Sequence, residues 1–260
     1  MGLLEMRVAL ITGASRGIGR ALSVRFADEG AAVVCAARSG DQVKETAAAI
    51  TAAGGRAMAV VCDASVEEDV RRTVALAVKE FGKLDTLVNN AGDAGPTKAV
   101  QEYLIEDWRY TIDSCLTSSY LCARFAVPEM IRAGRGTIVN IASMAGRRGL
   151  PYRIGYCSAK GGQIGMTYGL ALELGRHNIT VNAVLPGAVE GDRIERVIAA
   201  QAEARGSSPE EVKKIFLQRS PLRRMTSADD IAYAAVFLCS DHARNISGQC
   251  LPVNAGEPAS

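Results

Sequence analysis

Thr12-Gly13-Ala14-Ser15-Arg16-Gly17-Ile18-Gly19 (TGASRGIG, residues 12–19) decides the fold. A short, β-branched, apolar run at 7–13 leads into it, and a helical pattern over 17–29 follows at once. Gly13, Gly17 and Gly19 let the backbone turn sharply. The amides of that turn, with Ser15, Arg16 and Ile18 between the glycines, then face any phosphate seated at the positive end of the helix. A glycine-rich string alone is a weak signal. Strand, turn and helix in this order form the context that a pyrophosphate site requires, and they disfavour a plain ligand-free βα turn.

The pattern repeats outward. Residues 31–38, 56–63, 86–92, 136–143, 180–187 and 249–256 are further short runs, apolar on both faces, as a buried parallel sheet demands. Helical stretches are expected at 42–53, 66–81, 104–132, 153–175, 192–218 and 228–239. Seven strands alternating with helices predict right-handed crossovers and a doubly wound, parallel α/β sheet with helices on both faces. No Pro/Ser-rich linker divides the 260 residues, so 1–260 reads as one domain. Residues 190–219 do not return directly to the sheet. They read as a helical lid, with a fresh helix start at Pro209 after Ser207-Ser208.

Composition narrows the function classes. With 48% hydrophobic and 22% charged residues the chain is an ordinary globular protein. A net charge of +2 gives no basic surplus to favour nucleic acid or an anionic membrane. The longest clean apolar run, residues 231–239, is too short to span a bilayer, and no leader pattern follows Met1. Seven scattered cysteines without metal-ligand spacing argue against a disulfide framework or a metal site, and favour a reducing cytoplasm.

Two further motifs follow in order: Asn89-Asn90-Ala91-Gly92 after the fourth strand, and Tyr156-Cys157-Ser158-Ala159-Lys160. With the glycine turn, they make the chain resemble the short-chain dehydrogenase/reductase (SDR) family over essentially its whole length. In general pattern it is nearest the 3-oxoacyl-carrier-protein reductase branch. The resemblance implies a Rossmann fold, a nicotinamide dinucleotide and a homotetramer built on the helices at 104–132 and 153–175 and the last strand. It also implies an oxidoreductase that interconverts a carbonyl and a secondary alcohol. The substrate is then a small molecule; a polyol, a sugar, a keto acid and a ring ketone are equally compatible.

Residues assign roles within that frame. Tyr156 and Lys160 are four apart on a helix and share a face. An ammonium beside a phenol favours the phenolate, lowering its pKa from about 10 and fitting the phenol for proton transfer. Ser143, thirteen residues before Tyr156, ends the fifth strand and can hold the substrate oxygen. By resemblance these three are the catalytic serine, tyrosine and lysine, with Lys160 also on the nicotinamide ribose. Asp63 and Ala64, ending the third strand, lie where the family contacts adenine; Asp63 reads equally well as a helix N-cap. The resemblance also implies that Asn90, Ala91 and Gly92 line the cofactor, as do Pro186, Gly187 and Val189, with the Val189 amide meeting the carboxamide. The second strand ends in Ala37-Arg38 with no carboxylate before Asp41. An acid there would repel a 2′-phosphate, whereas Arg38 and Arg16 suit one, so NADP is expected over NAD.

Two positions depart from the family. Gly191 stands where many relatives carry a threonine that bonds the carboxamide. Cys115 lies seven residues after the lone tryptophan, Trp108, where the family has a catalytic asparagine. By resemblance that asparagine breaks the helix and frees a carbonyl for a water that relays protons from the lysine. Cysteine has no amide. Three readings stand: a weakened relay in a working enzyme, a dinucleotide-binding sensor that has largely lost turnover, or a cysteine nucleophile. On the first, Cys115→Asn is expected to raise turnover.

Overall fold

The computed structural model describes residues 2–258; Met1, Ala259 and Ser260 lie outside it. Seven strands form one sheet: β1 (Val8–Thr12), β2 (Ala32–Ala37), β3 (Arg56–Val61), β4 (Thr86–Asn89), β5 (Gly136–Ile141), β6 (Ile179–Pro186) and β7 (Cys250–Val253). All pairings are parallel, in the order β3-β2-β1-β4-β5-β6-β7. Every residue of β1, β2, β4 and β5 is buried, which accounts for their largely apolar character.

Helices cover both faces. On one, α1 (Gly17–Asp28), α2 (Gly40–Ala52) and α10 (Ala228–Cys239) close a core around Leu22, Phe26, Ile50 and Ile231. On the other, α3 (Glu67–Phe81), α5 (Ser118–Arg132) and α7 (Ile154–Leu174) close a core around Val74, Leu121, Met130 and Leu174. Each such fully buried aliphatic or aromatic side chain contributes roughly 1.5–3 kcal/mol. The remaining helices are α4 (Ile105–Ile112), α6 (Met144–Arg148), α8 (Asp192–Arg205) and α9 (Pro209–Arg219).

Two elements differ from the sequence expectation, and a third bears it out. The stretch at 104–132 is not one helix: α4 and α5 are separated by a π-helical turn, Asp113–Thr117, with Cys115 buried in it. The stretch at 192–218 is two helices, with the second starting at Pro209 as the sequence leads one to expect. Ser208 accepts from the Glu211 amide, and Glu211 bonds back to the Ser208 amide, so a capping box restarts the chain as α9. The short helix α6 follows Ser143, whose Oγ accepts from the Ala145 amide at 3.1 Å and caps it.

The strand order reverses at β1. The chain proceeds outward through β2 and β3, then resumes at β4 on the other side of β1. The crevice beyond the carboxyl ends of β1 and β4 is where open α/β sheets bind ligands.

Candidate active site

That crevice opens into a cleft of about 680 Å³ running from the glycine turn to α8. The half nearest the glycine turn is built by β1, β2 and β4. Gly19 lies against the Gly13 carbonyl: an added Cβ would meet that oxygen at 2.0 Å and Asn90 Nδ2 at 2.6 Å. Only glycine permits the approach. Asn90 Nδ2 donates to the Thr12 carbonyl at 2.9 Å, and the Asn90 and Ala91 amides both donate to Thr12 Oγ1 at 3.0 Å. The Asn89–Gly92 stretch is thereby tied to the glycine turn. Arg16 precedes α1 and caps it with no side-chain bond, so the first amides of α1 remain free for an anion. Gly13, Ser15, Arg16, Gly17 and Ile18 line this half of the cleft. The donors and the open cradle fit a dinucleotide pyrophosphate.

Arg38, Asp63 and Ala64 line the same half. Both terminal nitrogens of Arg38 stand 3.5 Å from the Tyr110 hydroxyl. Burial pushes the Asp63 carboxyl up, but bonds from Ser65 and the Arg38 charge outweigh it and hold the group below its ordinary value. Asp63 Oδ1 accepts from the Ser65 amide and hydroxyl, at 3.0 and 2.6 Å. Its alternative role as the α3 N-cap is therefore corrected: Val66 occupies that position, with no side-chain cap.

In the other half, Ser143, Tyr156 and Lys160 all line the cleft. Lys160 is buried one turn after Tyr156 on α7. Its Nζ donates to the Ile141 carbonyl at 2.7 Å and to Gln163 Oε1 at 2.8 Å, and lies 5.8 Å from the Tyr156 ring centroid. Pro186, Gly187 and Val189 line the floor, where Thr226 exchanges backbone bonds with Ala188 and Glu190. Gly191 has φ 126° and ψ 176°, backbone that essentially only glycine adopts, and no threonine fits there. Helices α8 and α9 pack Ile198, Ala202 and Val212 together, while Ile194, Val197 and Phe216 face the cleft.

Cys115 is the exception. It is buried but does not line the cleft; Ser114 and Ser118 of the same segment do. Its thiol donates to the Asp93 carbonyl at 3.1 Å behind Gly92. A sulfur closed off in this way cannot attack a substrate. Its carbonyl accepts from Ser119 Oγ at 3.0 Å, and Ser119 Oγ in turn accepts from Gln163 Nε2 at 2.6 Å. Lys160 is thus joined to the π turn through two side chains. Gln163 and Ser119 escape motif reading; the available signal is an amide in a largely apolar helix, one turn after Lys160 and on its face.

An open parallel sheet with a phosphate-binding turn at its switch point, and a serine, a tyrosine and a lysine converging beyond it, defines a dinucleotide-dependent oxidoreductase. The family model described as Enoyl-(Acyl carrier protein) reductase matches residues 13–257. A 3beta-hydroxysteroid dehydrogenase of Mediterraneibacter gnavus is 34% identical over 270 residues, covering 98% of this chain and 96% of the relative. The 7alpha-hydroxysteroid dehydrogenase of Escherichia coli K12 is 34% identical over 253 residues, covering 97% and 94%. The crystal structure of an NAD+-bound xylitol dehydrogenase superposes with a TM-score of 0.93 at 34% identity, covering 96% of this chain and 98% of that one. The chain belongs to the short-chain dehydrogenase/reductase family, the nicotinamide-dependent oxidoreductases that act on CH–OH groups.

Proposed function

We propose that this protein is an NADP(H)-dependent reductase that interconverts a ketone and a secondary alcohol. Tyr156 moves the proton, Ser143 holds the oxygen, and residues 190–219 close over the substrate. The observation that carries the reading is the convergence of Ser143, Tyr156 and Lys160 on one cleft with the glycine turn at its other end. The bound dinucleotide supplies or accepts the hydride. The protein's own residues do the rest. The Ser143 hydroxyl orients the carbonyl oxygen, and the Tyr156 phenol gives that oxygen its proton in reduction and takes it back in oxidation. The buried Lys160 ammonium sets the field beside the phenol.

Support for NADP comes from Arg38 and Arg16 at the adenosine end and from the absence of any acid at the end of β2. A homotetramer is part of the same reading. Tyr120 on α5, Tyr168 and Leu172 on α7 and Leu251 on β7 are all exposed, Leu172 to 88%.

The deciding experiment mixes the protein with NADPH and a panel of ketones and follows loss of absorbance. Saturable turnover that vanishes in Tyr156→Phe, while dinucleotide still binds, supports the enzyme. Binding without turnover on any ketone favours the sensor reading.

A further inference from the structure

Arg153 is only 3% exposed, yet none of the described residues forms an ion pair with it. Its two terminal nitrogens hold neutral atoms of the loop after β4, the Ala94 carbonyl at 2.6 Å and Thr97 Oγ1 at 3.3 Å; its Nε is buried without a partner. A buried guanidinium without a carboxylate is costly, because its charge loses water and gains no counter-charge. Burial accordingly pulls this arginine below its ordinary value, and Arg193 adds to the effect. The group lines the substrate half of the cleft, with its central carbon 5.2 Å from the Tyr156 ring centroid.

A second arginine faces the same ring. Arg193, in the first turn of α8, sits 5.6 Å from the Tyr156 centroid and touches the Gly92 carbonyl at 3.4 Å. It too is unpaired among the described residues, whereas Arg148 nearby is neutralised by Glu257 at 2.6 Å. The cleft also carries Asp93, Glu190 and Asp192, none of which pairs with either arginine. Asp93 is occupied by the Gly95 amide at 2.9 Å.

We propose that Arg153 and Arg193 form an anion subsite beside Tyr156, and that the substrate is a ketone or alcohol bearing a carboxylate. The proposal rests on the reductase reading above and names its substrate class. The carboxylate supplies the counter-charge that Arg153 lacks and draws Arg193, hence the start of α8, over the reacting carbonyl. A guanidinium suits this role because its planar fork matches a carboxylate and its charge persists when buried.

The test compares α-ketovalerate and levulinate with their methyl esters, using NADPH, the wild-type protein, Arg153→Gln and Arg193→Ala. Arg153→Gln removes the charge and leaves a shorter polar side chain in its place. For at least one acid, the wild-type kcat/KM exceeds that of the ester. The acid-to-ester ratio falls on the order of a hundredfold in Arg153→Gln, mainly through KM, and falls in Arg193→Ala as well. Ratios near one for both pairs, or acid and ester losing rate in parallel in Arg153→Gln, overturn the subsite and leave Arg153 as a loop anchor. Calorimetric titration of Tyr156→Phe with NADPH and each acid decides the matter even when no ketone is turned over. Saturable binding that is lost on adding Arg153→Gln supports the subsite, and no binding overturns it. Turnover of the esters alone upholds the reductase and sinks the subsite.

Discussion

Gln163 Nε2 donates to Ser119 Oγ at 2.6 Å, joining α7 to α5 immediately behind Lys160. With the bond from Lys160 to Gln163 Oε1, and that from Ser119 to the Cys115 carbonyl, it forms an unbroken buried chain from the ammonium to the π turn. Breaking it leaves buried polar groups short of partners. Gln163→Leu is therefore expected to lower kcat about tenfold, to destabilise the fold by about 1–3 kcal/mol, and to move the pH profile of kcat. An unmoved profile with stability alone reduced assigns the amide to packing.

Cys115→Asn bears on the same chain. The Cys115 carbonyl already accepts from Ser119, and the thiol lies 2.9 Å from where a Cβ on Gly92 would be, so an amide has little room. Contrary to the expectation from the family pattern, the single substitution should leave turnover unchanged or lower. A several-fold gain in kcat shows that the relay lacks an asparagine after all.

Arg38→Ala tests the choice of dinucleotide. Loss of a charge-assisted contact of about 1.5–3 kcal/mol should raise the KM for NADPH at least about tenfold and barely change that for NADH. Equal changes for both remove the 2′-phosphate from the role of Arg38.

The glycine turn makes a stability prediction. In Gly19→Ala the methyl group would overlap the Gly13 carbonyl, a rigid backbone atom. Thermal denaturation should show a loss of about 1–3 kcal/mol or more, and dinucleotide titration should show weakened binding. A variant that binds NADPH normally shows that the turn relaxes without cost.

Leu172→Glu places a charge on the exposed apolar face of α7. Light scattering should find the wild type as a tetramer and the variant as smaller species. A monomeric wild type removes the assembly from the proposal.

Thiol chemistry follows burial. Desolvation pushes the Cys35 thiol up to about 11 and that of Cys239 up to about 12, and raises Cys122 further still. A raised pKa means less thiolate at any given pH. At about pH 8, iodoacetamide should leave Cys35, Cys122 and Cys239 of the folded protein unlabelled. Rapid labelling of Cys35 or Cys239 signals opening of the core.

Much of the molecule is legible in its sequence because the signals are local. Seven β-branched runs, the glycine turn and the four-residue spacing of Tyr156 and Lys160 each report on a single element, and all reappear within a few residues of where they are expected. What those signals omit is contact between distant elements. Ser119 and Gln163 lie 44 residues apart, and neither carries a motif. Arg153 reads as the start of a helix until the fold buries it without a counter-charge. Gly191 reads as a missing contact until its backbone shows that threonine cannot stand there. Hydrophobic period and turn chemistry determined the parallel sheet and the glycine turn at its head; the strand order came from the packed sheet. Burial and partnership, which exist only once the helices are packed, decided the surroundings of Lys160 and the charge left waiting beside Tyr156.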